Sequence, residues 1–421
     1  MLTIHARGTA AYDGALETLE RRGEADLERV EPAVRAILTD VRERGDEAVI
    51  ELTQRFEGRN LQRIMLDPVD WRRDADQVPA RTRAILAAAA DRIRAYHEHQ
   101  RDTGFFYEED GVLLGMRVSA LRSVGVYAPG GKARYPSTVL MSAIPAAVAG
   151  VPRIVLASPN PTPEVLAAAK LSGVTDVVDA GGAQAIAALA WGTAQVPRVD
   201  KIVGPGNIYV ACAKKLVYGV VDIDQIAGPS EILVVADDGA DPRVVAADLL
   251  SQAEHDEDAY ALLVTLGREM AEAVVAAVAE QIADLPRRAI AEVSLRRNGA
   301  CFVAGDFAEA ARVADRLAPE HLALAVREPE SLLSNIGAAG AAFLGYHTPE
   351  AAGDYAAGPS HVLPTGGAAR FGSPLGVYDF LVRTSLIRYD RAALDRQGDL
   401  LEELARLEGL EGHARAVRVR R

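Results

Sequence analysis

The sequence predicts an α/β protein built on two parallel sheets with helices on their faces. Three observations lead there. From about residue 120 onward, short β-branched runs alternate with Ala-rich helical segments, the pattern of repeated βαβ units. Gly/Pro turns mark the joints between these segments. The chain has 421 residues, and at roughly 100–200 residues per domain two such sheets fit better than one.

Each stretch has its own reason. Residues 1–111 are rich in Ala, Arg, Glu and Leu, and RTRAILAAAADRIRAYHEHQR (81–101) is a strong helix former, so this region reads as mostly helical. A first α/β unit is expected over 112–228. Its strands include RIVLAS (153–158), VTDVVDAG (174–181) and KIVGPG (201–206), each ahead of a helical segment. The Gly-Pro turn in IAGPSEILVV separates it from a second unit over 229–375, with strands in EILVVAD (231–237), YALLVTL (260–266) and GACFVAG (299–305). After GSPLGVYDFLVRTS the alternation stops. Residues 376–421 read as a charged helical tail, too short to bury its own core and expected to pack on another body or subunit. Its basic ending, ARAVRVRR, reads as a solvated edge strand or tail.

Composition excludes several function classes. Hydrophobic content of 49% with 25% charged residues is the balance of a globular protein with a large core. A net charge of −13 argues against a nucleic-acid or anionic-membrane partner. No apolar run approaches the ~20 residues that span a bilayer, and MLTIHARGTAAYDG lacks a signal-peptide core. A cytoplasmic enzyme is expected. The two cysteines, Cys212 and Cys301, stand far apart, which argues against a disulfide scaffold, a Cys-rich zinc site or an iron–sulfur cluster. Cys212 falls in a predicted helix and Cys301 in a predicted strand, so both read as buried structural thiols rather than catalytic ones.

The polar residues that could carry chemistry cluster in a few strings. In DLLSQAEHD (248–256), Asp241 is the expected N-cap and Pro242 the first helical residue, with Val244, Val245, Leu249 and Leu250 as the apolar stripe. Asp248, Gln252 and His255 then share one polar stripe. That spacing suits either a solvated, capped helix end or half of a metal site. Of the eight histidines, His5, His97 and His99 have charged or flexible neighbours and read as surface groups. The others have more suggestive company: Glu320–His321 in APEHLAL, His347, Asp354 and His361 in a Gly/Pro-rich segment with little expected regular structure, and His413 after Glu408 and Glu411. Two His, one Asp and a further O or N donor make a sensible zinc site. The Gly/Pro loops GVYAPGG, VGPGN and AGPSE follow predicted strands and favour a binding crevice at strand C-terminal ends.

Taken together, GVYAPGGKARYPSTVLMSAIPA, VDKIVGPGNIYVACAKK, DIDQIAGPSEILVVAD, ADLLSQAEHD, LAPEHLAL, GDYAAGPSHVLPTGG and EGLEGHARAV occur in the order found in histidinol dehydrogenases, which the chain resembles from about residue 20 to its C-terminus. The resemblance implies two incomplete Rossmann-like domains, similar to the aldehyde dehydrogenase fold, with small helical domains from the chain ends. It implies a zinc-dependent homodimer that oxidises L-histidinol to L-histidine through L-histidinal, reducing two NAD. By motif, the zinc ligands are expected to be Gln252, His255, Asp354 and His413, and the acid/base pair Glu320 and His321. Substrate contacts are expected from Ser230, His321, His361 and Glu408 together with the zinc ligands. NAD contacts are expected from Tyr127, Gln184 and Asn207, on the side of the first Rossmann-like unit. Glu408 and His413 are expected to reach the active site of the partner subunit. On this reading His321, an imidazole that titrates near neutrality, takes the alcohol proton, and Glu320 activates the water that attacks the aldehyde. Tyr378 and Gln225 depart from the family pattern at positions that carry no chemistry. The rivals are a related dehydrogenase of another small polar alcohol and a non-catalytic metal-binding protein on the same scaffold.

Overall fold

The computed structural model describes residues 2–22, 27–130 and 135–421. The chain opens with strand β1 (Thr3–Ala6) and helix α1 (Ala10–Glu20), then runs through α2 (Glu31–Arg44), α3 (Asp46–Glu57), α4 (Pro68–Asp76) and α5 (Ala80–Glu98). A hairpin, β2 (Phe105–Glu109) and β3 (Val112–Ala120), precedes the first parallel sheet. That sheet is laid down as β4 (Ser123–Tyr127), α6 (Pro136–Ala149), β5 (Arg153–Ala157), α7 (Pro163–Ser172), β6 (Asp176–Val178), α8 (Gly182–Trp191), β7 (Lys201–Val203), α9 (Ile208–Val217) and β8 (Asp222–Ile223). The second follows as β9 (Glu231–Ala236), α10 (Pro242–Ala253), β10 (Tyr260–Thr265), α11 (Arg268–Gln281), α12 (Arg288–Arg297), β11 (Ala300–Val303), α13 (Phe307–Leu317), β12 (His321–Ala325), α14 (Pro329–Leu333), β13 (Ala341–Leu344) and α15 (Glu350–Tyr355). The chain closes with β14 (Leu381–Tyr389), α16 (Arg391–Leu407) and α17 (Glu411–Arg418).

The two sheets share one topology. The first has the order β6-β5-β4-β7-β8 and the second β1-β11-β10-β9-β12-β13, all parallel. Apart from β1 at the edge of the second sheet, each starts in the middle, adds two strands on one side and then crosses to the other, which is the Rossmann strand order without its last strand. Strands buried on both faces read as continuous apolar runs: every residue of β9 is buried. The α/β class agrees with this architecture.

The ends of the chain differ from expectation. β1 lies in the second sheet, with Thr3 opposite Ala300 on β11, and Tyr12, Leu16 and Leu19 of α1 pack into that sheet's core. Four residues are too few to show a period, and only the distant partner makes them a strand. The tail is not purely helical either. β14 pairs along its length with β3, and with β2 they form a three-stranded antiparallel sheet. The basic ending lies in and just beyond α17 rather than in an edge strand, because Arg418 and Arg421 turn back onto Glu402. Val362, Leu375, Val377 and Phe380 pack in the core of the first sheet, so the segment after α15 returns to it before residue 375.

His97 has no exposed surface, contrary to the surface reading; it lies on the inner face of α5 with Nδ1 bonded to Ile93 O at 2.8 Å. His5 on β1 stacks on Phe302. His99 is exposed. Cys212 and Cys301 are free and buried. No helix among the described residues is long and apolar enough to cross a membrane.

Candidate active site

β9 and β12 lie side by side with Ile232 opposite His321, which brings GPSE and PEHL together. The approach to β12 is sharply bent. Ala318 turns the chain out of α13 at φ +42°, in the left-handed region, a conformation that costs an L-residue roughly 1–2 kcal/mol. Pro319 follows, then Glu320 and His321, both buried.

Glu320 and Glu231 hold each other reciprocally. Glu231 N donates to Glu320 Oε2 (2.9 Å), and Glu320 N donates to Glu231 Oε1 (3.1 Å). His321 Nδ1 lies 2.9 Å from Glu231 O. A carbonyl only accepts, so Nδ1 carries the proton and a neutral ring presents Nε2 as its free base. Nε2 faces Glu350 Oε1 and Asp354 Oδ1, each 3.8 Å away.

Burial pushes the Glu320 carboxyl up to about 8, against the pull of His321. Burial would lower His321, but the carboxylates of Glu320, Asp354 and Glu350 outweigh it and push the ring up to about 10. The expectation of a ring titrating near neutrality therefore does not hold for the chain alone. Asp354 feels the same pairing from the other side: burial raises it, and His321, His361 and His255 hold it below the usual carboxylate range.

α10 brings Gln252 to this pocket. Asp241 caps the helix by accepting from Arg243 N (2.9 Å), with Pro242 in its first turn, as expected. Val245, Leu249 and Leu250 are buried; Val244 is exposed and not part of the stripe. Gln252 has no exposed surface, and neither its Oε1 nor its Nε2 has a hydrogen-bond partner. His255 lies just past the helix end at the open rim. The surrounding protein lowers its pKa, while Asp354 pulls the other way. Burial raises Asp248 to about 6. The segment around Asp354 is more regular than expected, because α15 carries it. His361 bridges outward, with Nδ1 3.0 Å from Asp354 O and Nε2 3.3 Å from Thr138 Oγ1 on α6. Ser230 immediately precedes β9, half-buried. His347 is exposed.

This site lies where β9 and β12 begin, not at strand C-terminal ends. AGPSE leads into β9 rather than closing off a long strand. At the opposite end of β9, Asp237 fills the space by accepting from Gly239 N, Arg327 N and Tyr346 Oη, each at 2.9 Å.

In the first sheet the order reverses between β4 and β7, and such a switch point is where open α/β sheets take nucleotides. Tyr127 ends β4, and its hydroxyl accepts from Gly182 N at 3.1 Å. Gln184 is buried on α8, and Asn207 caps α9 by accepting from Tyr209 N and Val210 N. Gly204 sits between them at φ +112°, where an added Cβ would lie 2.1 Å from Tyr127 O. Residues 131–134 of the GVYAPGG region lie outside the described residues.

A family model described as histidinol dehydrogenase matches residues 20–421. Curated histidinol dehydrogenases from Syntrophotalea carbinolica and Aquifex aeolicus are 53% and 51% identical, covering 100% and 96% of this chain and 99% and 96% of their own. The crystal structure of histidinol dehydrogenase from Elizabethkingia anophelis superposes with a TM-score of 0.94 at 34% identity, over 100% of this chain and 98% of that one. The chain belongs to the histidinol dehydrogenase family. These oxidoreductases catalyse the last step of histidine biosynthesis.

One chain brings together His255, Glu320, His321, Asp354 and His361, with Ser230 just before β9 and Gln252 on α10, but not Glu408 and His413. Those two are exposed where α16 passes into α17. The structure also adds Glu350, which the sequence reading missed. It is buried, accepts from Ser251 Oγ at 2.9 Å, and with His321 and Asp354 forms a group whose ligand atoms lie within 4.8 Å of one another. The signal was available: Glu350 and Asp354 are spaced i, i+4 after Pro349, which puts both carboxylates on one helical face.

Proposed function

We propose that this chain carries out the zinc- and NAD-dependent four-electron oxidation of L-histidinol to L-histidine through L-histidinal, as a homodimer in the cytoplasm. The observation that carries the zinc reading is Gln252. A buried amide without partners costs roughly 1–3 kcal/mol for each unsatisfied group, and a bound cation removes that cost at its oxygen. The setting suits a cation, since the carboxylates of Glu320, Glu350 and Asp354 converge on one buried pocket. Gln252, His255 and Asp354 hold the ion, and His413 from a second copy completes the set. The NAD reading rests on the Gly204 cradle and the switch point bordered by Tyr127, Gln184 and Asn207. When bound, zinc supplies a Lewis-acidic anchor for the substrate's nitrogens and NAD a hydride acceptor.

The chain's own residues supply positioning and proton transfer. His321 Nε2 takes the alcohol proton in the first oxidation, its ring fixed through Nδ1 on Glu231 O; a cation held by Asp354 would offset one of the carboxylates that raise the ring in the chain alone, and so favour the free base at Nε2. In the second oxidation, Glu320 takes a proton from the water that attacks the aldehyde carbon. Ser230, His361 and the partner's Glu408 contact the polar ends of the substrate. Adjacent residues thus serve both oxidations without release of the aldehyde.

The test is direct. Purified protein is given L-histidinol and NAD, with and without a chelator. Two NADH per histidinol, lost on chelation and restored by zinc, is the expected result. A single NADH, or full activity in metal-free protein, rejects this reading.

A further inference from the structure

Arg22, just beyond α1, is far from the reacting groups in sequence, yet its side chain is 1% exposed and fully engaged. Nε and Nη2 grip both carboxylate oxygens of Glu231, at 2.5 and 2.8 Å. Nη1 donates to Leu19 O (2.8 Å), and Nη2 also donates to Leu317 O (2.6 Å) at the end of α13. The guanidinium therefore touches one side of the bend that delivers Glu320 directly, at Leu317 O, and the other through Glu231. It sits at the buried carbonyl end of α13 just before Ala318, and it orients the carboxylate that receives Glu320 N. Glu231 Oε1 accepts from Gly366 N as well (3.1 Å), which ties in the loop where Thr365 Oγ1 accepts Gly228 N (2.7 Å). A planar, bidentate fork suits this task, and a lysine ammonium does not reproduce it.

We propose that Arg22 and Glu231 form a positioning pair that fixes Glu320 for the water-activating half of the reaction. The proposal rests on the division of labour between Glu320 and His321 given above. The two catalytic residues depend on the pair unequally. His321 is held by the main-chain carbonyl of residue 231 and by the β9–β12 ladder, both independent of the side chains. Glu320 N is held by the Glu231 carboxylate itself, whose orientation Arg22 sets. Loss of Arg22 leaves a buried carboxylate without its cation and frees it to turn away from Glu320 N. The cost falls on aldehyde oxidation.

The experiment compares two rates on the same zinc-loaded preparations: formation of the first NADH from L-histidinol in a single turnover, and NADH formation from L-histidinal. Glu320→Gln is the benchmark and is expected to slow the second rate much more than the first. Arg22→Met and Glu231→Gln are expected to skew the ratio the same way, by about 10- to 100-fold, the scale of a misplaced catalytic group. KM for L-histidinol should stay within about twofold, and Arg22→Lys should recover part of the skew. A purely structural role lowers both rates in proportion, since misfolded protein is lost from each alike. An unchanged ratio in the Arg22 and Glu231 variants, while Glu320→Gln skews it, overturns the positioning pair alone. An unchanged ratio in Glu320→Gln overturns the division of labour beneath it. If Arg22→Met does not fold, Arg22→Lys and Glu231→Gln carry the comparison.

Discussion

His97 and Gln252 both have no exposed surface, and their neighbourhoods give them opposite meanings. His97 bonds within its own helix, and burial lowers its pKa, so it is a neutral packing residue. Gln252 has neither amide atom bonded, on the helix whose next-door Ser251 reaches Glu350. The same reasoning applies to the thiols. Burial pushes Cys301 up to about 12 and raises Cys212, so both stay protonated at neutral pH, and a protonated thiol is a poor nucleophile. Iodoacetamide at pH 8 should leave activity within about 10% over a period that labels both thiols in urea; rapid inactivation would restore a catalytic cysteine to consideration. The cysteine reading needed only local sequence, because an apolar strand or helix predicts its own burial. Arg22 was not legible in that way. Its partner Glu231 comes from an element far along the chain, and an isolated charge does not announce that it will be buried. Glu350 was legible only through its i, i+4 spacing with Asp354.

At the scale of elements, α10 shows what local signals can carry. Its cap, its first-turn proline and its polar stripe were readable in order, because each depends on neighbours within about a turn. Asp241→Ala should cost about 1 kcal/mol, the usual worth of such a cap, seen as a lower denaturant midpoint with the slope unchanged. Activity should stay within about twofold, since Leu249 and Leu250 still seat the helix. A cost near zero would mean that solvent caps the helix as well as Asp241 does. The central strands of both sheets were legible as apolar runs, whereas β1 and β14 were not. β1 is four residues long, and β14 is exposed along most of its length, so neither displays the alternation that marks a half-buried strand.

At the scale of the whole molecule, the tail leaves an apolar stripe uncovered. Leu400, Leu404 and Leu407, spaced i, i+4, i+7 on α16, are 61%, 51% and 78% exposed, and they lead to exposed Glu408 and His413. Such a stripe is the surface expected of an interface. If a second copy supplies His413, then His321→Ala and His413→Ala chains, each inactive alone, should complement after subunit exchange. Heterodimers formed at random hold one intact site each, so about a quarter of wild-type activity should return. No recovery with verified exchange would place all the ligands in one chain.

The pairing of β1 with β11 has a consequence for synthesis. The first strand made has no partner until residues 300–303 emerge. At about 5–20 residues per second, that is a wait of some tens of seconds. The loop closed at the end is among the longest the chain could form, and such non-local pairings slow folding. Arg22 can complete its contacts only later still, once Leu317 emerges. A nascent chain thus acquires the anchor of its Glu320–His321 corner after most of both sheets exist. A ribosome-bound fragment that ends before β11 should have an N-terminus still open to protease.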